Sequence, residues 1–259
     1  MSTSDTQKIP VTVLTGYLGS GKTTVLNHIL KENHGRRIAV IENEFGAVGI
    51  DSDLVLHEDE EIFETNNGCI CCTVRGDLIR ILGNLMKRRN KFDRVLIETT
   101  GVADPGPVAQ TFYRDDEIAK GFVLDGITTL VDAKHFLLQL RNGVEPARQV
   151  AFADQVLITK TDLVSASELK AVEDRIRRIN AVVPIARAEM GRVDLEKILN
   201  LGGFDLKRAT NLDPHFLEAE DDHHHHDHGI SVTSVPLTTD KPLDVKKLNV
   251  WLGLLMQTK

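Results

Sequence analysis

TGYLGSGKTT, residues Thr15–Thr24, follows an unbroken apolar run at Ile9–Thr15 and opens a helical pattern at Thr23–Lys31. Strand, glycine-rich turn and helix form the setting in which Gly16-x4-Gly21-Lys22-Thr23 reads as a phosphate-binding P-loop. Gly16, Gly19 and Gly21 let backbone N–H groups curl around phosphate oxygens, and the start of the helix adds positive potential. Ser20 and Thr24 complete the candidate phosphate-binding set. Lys22 is placed to reach the β- and γ-phosphates, and the Thr23 hydroxyl to bind Mg²⁺. Lys22 therefore counts as a catalytic as well as a binding candidate.

Outward from this loop the same alternation continues. Arg37–Glu42, Arg94–Glu98, Ile127–Asp132, Gln155–Thr159 and Val182–Arg187 are short apolar runs of the kind a parallel sheet needs when both faces are covered. Between them lie helical patterns at Asp77–Arg88 and at Ser167–Ile179, the second opening on a serine suited to capping. The expected fold is a doubly wound, mostly parallel α/β sheet with ligands at the carboxyl ends of its strands. The pattern breaks near residue 200. A division follows into a nucleotide-binding domain (1–210), a His-rich linker (211–229) and the start of a smaller α/β domain (230–259). In the last of these, Ile230–Leu237 reads as a strand and Leu243–Met256 as a helix.

Two further elements fit a nucleotide site. Glu98 ends the apolar strand VLIE and is followed by Thr99-Thr100-Gly101. An acid there can hold a Mg²⁺-bound water, and Gly101 can offer its N–H to the γ-phosphate. Thr159-Lys160-Thr161-Asp162 follows the strand QVLI. Lys160 can pack its stem on a base, while the Asp162 carboxylate accepts from the N1–H and exocyclic amino group of guanine. Adenine has neither donor at those positions, so GTP is favoured over ATP. Past Gly101 stands Val102, and no water-orienting glutamine is evident, which implies slow hydrolysis that waits on a metal or partner. Asp104, before Pro105, reads as a helix cap or turn residue in preference to a water-positioning acid.

All three cysteines fall at Cys69, Cys71 and Cys72, in NNGCICC. Three neighbouring thiolates suit Zn²⁺ or another soft or borderline divalent ion with a coordination place left open. The competing readings are buried small hydrophobes or a redox pair. Glu42, opening ENEFG at the end of the second strand, is a candidate fourth ligand or a Mg²⁺ contact. His223–His226 and His228, interleaved with aspartates, read as a flexible metal collector.

Composition narrows the classes further. The formal charge of −7 argues against nucleic acid as a primary partner. No run of about 18 apolar residues marks a membrane span. MSTSDTQKIP lacks the basic and apolar regions of a secretory signal, so a cytoplasmic setting with reduced thiols is expected.

TGYLGSGKTT, ENEFG, GCICC, ETTG and TKTD, together and in this order, resemble the CobW-type family of metallochaperone GTPases. The resemblance covers about residues 10–259. It implies a Rossmann-like GTPase domain joined, often by a His-rich linker, to a smaller C-terminal domain. It also implies binding of GTP and GDP with Mg²⁺, and GTP-dependent delivery of Zn²⁺, or in some members Co²⁺, to a client metalloprotein. Cys69, Cys71 and Cys72 would be the metal motif. Homo-oligomerisation is left open. Two departures stand out: relatives usually continue past residue 259, and Ala47 stands where they often carry an acid.

Overall fold

The computed structural model describes residues 8–32, 35–42, 62–64, 73–189, 192–217 and 244–255. Its strands are β1 (Ile9–Gly16), β2 (Ile38–Glu42), β3 (Ile62–Glu64), β4 (Arg94–Glu98), β5 (Phe122–Asp132), β6 (Gln155–Thr159) and β7 (Ile185–Arg187). They form one sheet in the order β3-β2-β4-β1-β5-β6-β7, and every pairing is parallel. This is the expected doubly wound sheet.

The unbroken apolar runs have a simple physical origin, because successive strand residues face opposite sides and both sides are covered. Val11 and Val13 of β1 join Val95 and Ile97 of β4 in one core. Leu14 and Leu96, one step along, enter the core on the other face. The first core is closed by α2 (Thr73–Met86), α3 (Pro105–Arg114) and α4 (Asp116–Gly121) through Leu78, Leu82, Leu85, Phe112 and Ile118. The second is closed by α1 (Lys22–Lys31) and α8 (Glu196–Leu199). On α1 the residues Val25, Leu26, Ile29 and Leu30 are buried, each contributing about 2 kcal/mol of transfer free energy. A third cluster lies under α5 (Phe136–Asn142), α6 (Glu145–Phe152) and α7 (Ala166–Ile179).

Several elements differ from the sequence reading. β5 starts at Phe122, because Asp125-Gly126, which carries turn chemistry, is absorbed into the strand at a register irregularity opposite Val11/Thr12. There Asp125 is neutralised by buried Arg94, whose guanidinium lies 2.8 Å from Asp125 Oδ2 and also donates to Thr12 and Asn200. The cap of α7 is Ser165, not Ser167. Ser165 Oγ accepts from Glu168 N, and the Glu168 carboxylate accepts in turn from Ser165 N, closing a capping box.

Helices α3 to α6, α8 and the helix that follows it, and strand β3 had no sequence expectation. α3 begins Pro-Gly-Pro and is buried along most of its length, which hides any amphipathic period. α9 (Leu206–Leu212) and the turn after it pack Ala209 and Phe216 into the first core, with Phe216 stacked on Phe204 and tilted against Phe152. α10 (Val245–Leu255) lies where a helix was expected. Ile230–Leu237 and the His-rich segment lie outside the described residues. Among the described residues no helix is long and apolar enough to cross a membrane.

Candidate nucleotide and metal site

The carboxyl ends of β1, β2, β4, β5 and β6 bring Gly16, Glu42, Glu98, Asp132 and Thr159 to one edge of the sheet. The register places them closely: Leu14 lies opposite Glu98, Glu42 opposite Glu98, Gly16 opposite Leu130, and Asp132 opposite Thr159. Neighbouring strands lie about 4.8 Å apart, so one hydrogen-bonded row gathers residues that are far apart in sequence.

The phosphate end is built from backbone. Gly16, Gly19 and Gly21 have φ of 148°, 74° and 92°, conformations that an L side chain resists. A Cβ on Gly16 would also lie 2.5 Å from the Leu130 carbonyl oxygen. Ser20 N donates to Tyr17 O, closing the loop, and α1 starts directly after Gly21. Ser20 is fully buried, whereas Thr23 and Thr24 are exposed on the first turn. Lys22 folds back so that Nζ donates to Gly16 O at 2.9 Å. Burial pushes its ammonium below the ordinary lysine value, and the Glu98 carboxylate partly offsets that shift. Thr23 Oγ1 donates to Glu98 Oε1 at 3.3 Å, and Glu98 is itself buried. A hydroxyl and a carboxylate meeting beside a glycine-built loop are the hard oxygen donors that suit Mg²⁺.

The loop after β4 is fastened to β1 and abuts the P-loop. Thr99 N donates to Leu14 O, and Thr99 Oγ1 to Thr15 Oγ1 at 2.8 Å. Gly101 leaves no space for a side chain, since a Cβ there would lie 2.7 Å from Leu18 N. Asp104 caps α3 by accepting from Gly106 N and sits 3.3 Å from Arg148 Nε, as the cap reading expected.

The base end is built from side chains. Thr159 Oγ1 donates to Ser20 O at 2.7 Å, joining this end to the phosphate loop. Lys160 adopts a left-handed φ of 55°, the one non-glycine residue with positive φ among the described residues. Such strain clusters at functional sites. Its Nζ lies 2.8 Å from Asp132 Oδ2, which His135 Nδ1 also meets at 2.8 Å. Burial alone would raise the Asp132 pKa, but Lys160, His135 and the Lys134 N–H outweigh it and hold the carboxyl below its usual range. Asp162 is exposed on a short 3-10 turn, Thr161–Leu163.

The sequence expectation places Asp132 only at the end of a strand and not in the site, although it ends an apolar run as Glu98 does and the same rule finds it. Gln149, which donates to the Gly101 and Ala103 carbonyls, left no sequence signal. Cys69, Cys71 and Cys72, with Asn43–Gly46, lie outside the described residues. Among the described residues no group of three or more His, Cys, Asp or Glu is placed to hold a metal.

A parallel sheet whose first strand ends in a glycine-built phosphate loop, with an acid at the tip of the next strand, defines the class of P-loop GTPase folds. Residues 10–187 match the family described as CobW/HypB/UreG, nucleotide-binding domain, and the chain belongs to that family. It is 40% identical over 256 residues to the zinc chaperone YjiA of Escherichia coli, covering 96% of this chain and 78% of that protein. It is also 40% identical over 214 residues to the zinc-regulated GTPase metalloprotein activator 1 of Schizosaccharomyces pombe. That match covers 79% of this chain and 52% of the yeast protein, about half its length. The crystal structure of Zn(II)-bound YjiA GTPase from E. coli superposes with a TM-score of 0.62 at 41% identity, over 77% of this chain and 63% of that one.

Proposed function

We propose that this chain is a GTP-hydrolysing metallochaperone that takes zinc at Cys69, Cys71 and Cys72 and passes it to a client metalloprotein according to its nucleotide state. The observation that carries the nucleotide half is the 3.3 Å approach of Thr23 Oγ1 to Glu98 Oε1 beside Lys22. In this reading Thr23 and Glu98 would hold Mg²⁺, which would supply charge neutralisation at the β- and γ-phosphates. Lys22 leaves the Gly16 carbonyl to pair with phosphate oxygens, Gly101 offers its N–H to the γ-phosphate, and Gly19 to Thr24 line the phosphate cradle. Thr159, Lys160 and Asp162 read guanine, with Asp162 accepting its two donors.

The zinc half is supported by the names of relatives 40% identical to this chain, a zinc chaperone and a zinc-regulated activator. Glu42 supports a link between the halves, because its position on β2 is next to Glu98 in register. An ion held by the thiolates and by Glu42 would lie one strand from the acid that holds Mg²⁺. Zinc is cargo in this scheme, with cobalt as the alternative ion.

Zinc affinity measured by competition with a chromogenic chelator, with GTPγS and then with GDP, tests the coupling. A difference of about tenfold or more is expected, and reciprocity requires zinc to shift nucleotide affinity by the same factor. Equal affinities would leave a zinc buffer and end the delivery scheme. Stoichiometric zinc on Cys71→Ala would overturn the thiolate assignment. Undiminished GTP binding by Asp162→Asn would overturn the guanine assignment.

A further inference from the structure

The Gly101 loop is held from outside the nucleotide motifs by one buried side chain. Gln149, on α6, is 1% exposed, and its Nε2 donates to Gly101 O at 3.2 Å and to Ala103 O at 3.1 Å. Both amide hydrogens are therefore spent on carbonyls two residues apart in the segment that follows Glu98. A primary amide is suited to this task, since its two donors diverge from a single nitrogen.

The helix that presents Gln149 is itself immobilised. Thr129 Oγ1, on the central part of the sheet, donates to the Gln149 carbonyl at 2.8 Å. Asn180 Nδ2, at the end of α7, reaches the carbonyls of Val150, Ala151 and Ala153. The far end of α6 is fastened to α9 and the turn after it. Arg208 donates to Phe152 O at 3.0 Å, and the Phe152 and Phe216 rings lie 6.2 Å apart. Gln149 is thus a fixed post, and the loop carrying Gly101 hangs on it.

We propose that Gln149 is a positioning residue for γ-phosphate recognition: by holding the Gly101 and Ala103 carbonyls it orients the loop that distinguishes the triphosphate from the diphosphate. The inference rests on the functional reading above, in which Gly101 meets the γ-phosphate. A Cβ added to Gly101 would lie 2.6 Å from the Leu18 side chain, so the loop runs close against the P-loop, and Gln149 holds it there. GDP offers no group for that loop, and its binding is indifferent to Gln149.

The test is a ratio. Affinities for GTPγS and GDP are measured by titration calorimetry with Mg²⁺ on the full chain and on two variants. Gln149→Met keeps length and flexibility without the donors. Gln149→Asn keeps the donors but withdraws them by one methylene, and it decides the question if the Met variant does not fold. In both, GTPγS is expected to weaken about tenfold relative to GDP, with GDP within about twofold of wild type, as loss of one or two buried hydrogen bonds implies. A merely structural role would weaken both nucleotides together and leave the ratio at its wild-type value, which overturns the proposal. A wild-type chain that binds neither nucleotide would instead overturn the functional reading. The two failures are therefore distinct.

Discussion

The two ends of the nucleotide site are made of different materials. At the phosphate end, recognition is written in the main chain: three glycines with positive φ, a loop closed by Ser20 N, and Gly101 pressed against Leu18. At the base end it is written in side chains: Lys160 on Asp132, His135 on the same carboxylate, and Thr159 donating across to Ser20 O. A backbone site tolerates almost no added atoms but needs no partner to be kept charged. A side-chain site keeps its shape only while an ion pair survives. The two ends should therefore fail in different ways.

The sharpest way to break the contrast is Gly16→Ala. The new Cβ would strike the Leu130 carbonyl in a conformation alanine resists. Overpacking and backbone strain together are expected to cost about 3–5 kcal/mol in urea unfolding, with nucleotide binding lost alongside. If stability were unchanged, the phosphate end would be less rigid than its geometry implies.

Asp132→Asn comes next. It turns an amide toward the Lys160 ammonium and should weaken GTP and GDP alike, by about tenfold, as loss of a charge-assisted bond implies. Unequal weakening would show that the two ends are not separable. The depressed Asp132 pKa has a sign as well. A carboxyl held below its unfolded value contributes stability that is fully present above about pH 4 and lost as pH falls through the lower folded value. Wild type should therefore lose stability in acid more steeply than the Asn variant, as thermal melts across that range would show.

The smallest effect is expected outside both ends. Ser165→Ala opens the capping box of α7 and should cost about 1 kcal/mol while leaving nucleotide affinities unchanged. A change in affinity would mean that the base end leans on α7.

The same contrast explains what could be read in advance. Arg94–Glu98 and Gln155–Thr159 match their expected strands end to end, because short apolar runs at polar boundaries leave little choice. Lys22, Thr23 and Glu98 could be brought together from sequence, since a P-loop needs an acid on the adjacent strand. Asp132 follows from the same logic, since it too ends an apolar strand. Gln149 could not, since its role depends on where α6 crosses the Gly101 loop, and no local pattern encodes that crossing. Asp125-Gly126 was unreadable for the opposite reason: its local chemistry says turn, and only the pairing with Arg94 makes it strand. Ser165 displaced Ser167 as the cap because Glu168 completes the box three residues after Ser165.

The strand order also has a consequence in time. β1 sits at the centre of the sheet, yet its neighbours are β4 and β5, with Val11 opposite Val95 and Ile9 opposite Phe122. A ribosome adding roughly 5–20 residues per second makes β2, β3 and α2 before β1 can receive its first partner. The strand that ends in the P-loop thus waits for several seconds as an unpaired apolar ribbon, and closing the sheet around it is a late, long-range event. Such pairings are slow and exposed to aggregation. The nascent chain is most vulnerable in the interval before Arg94–Glu98 emerges.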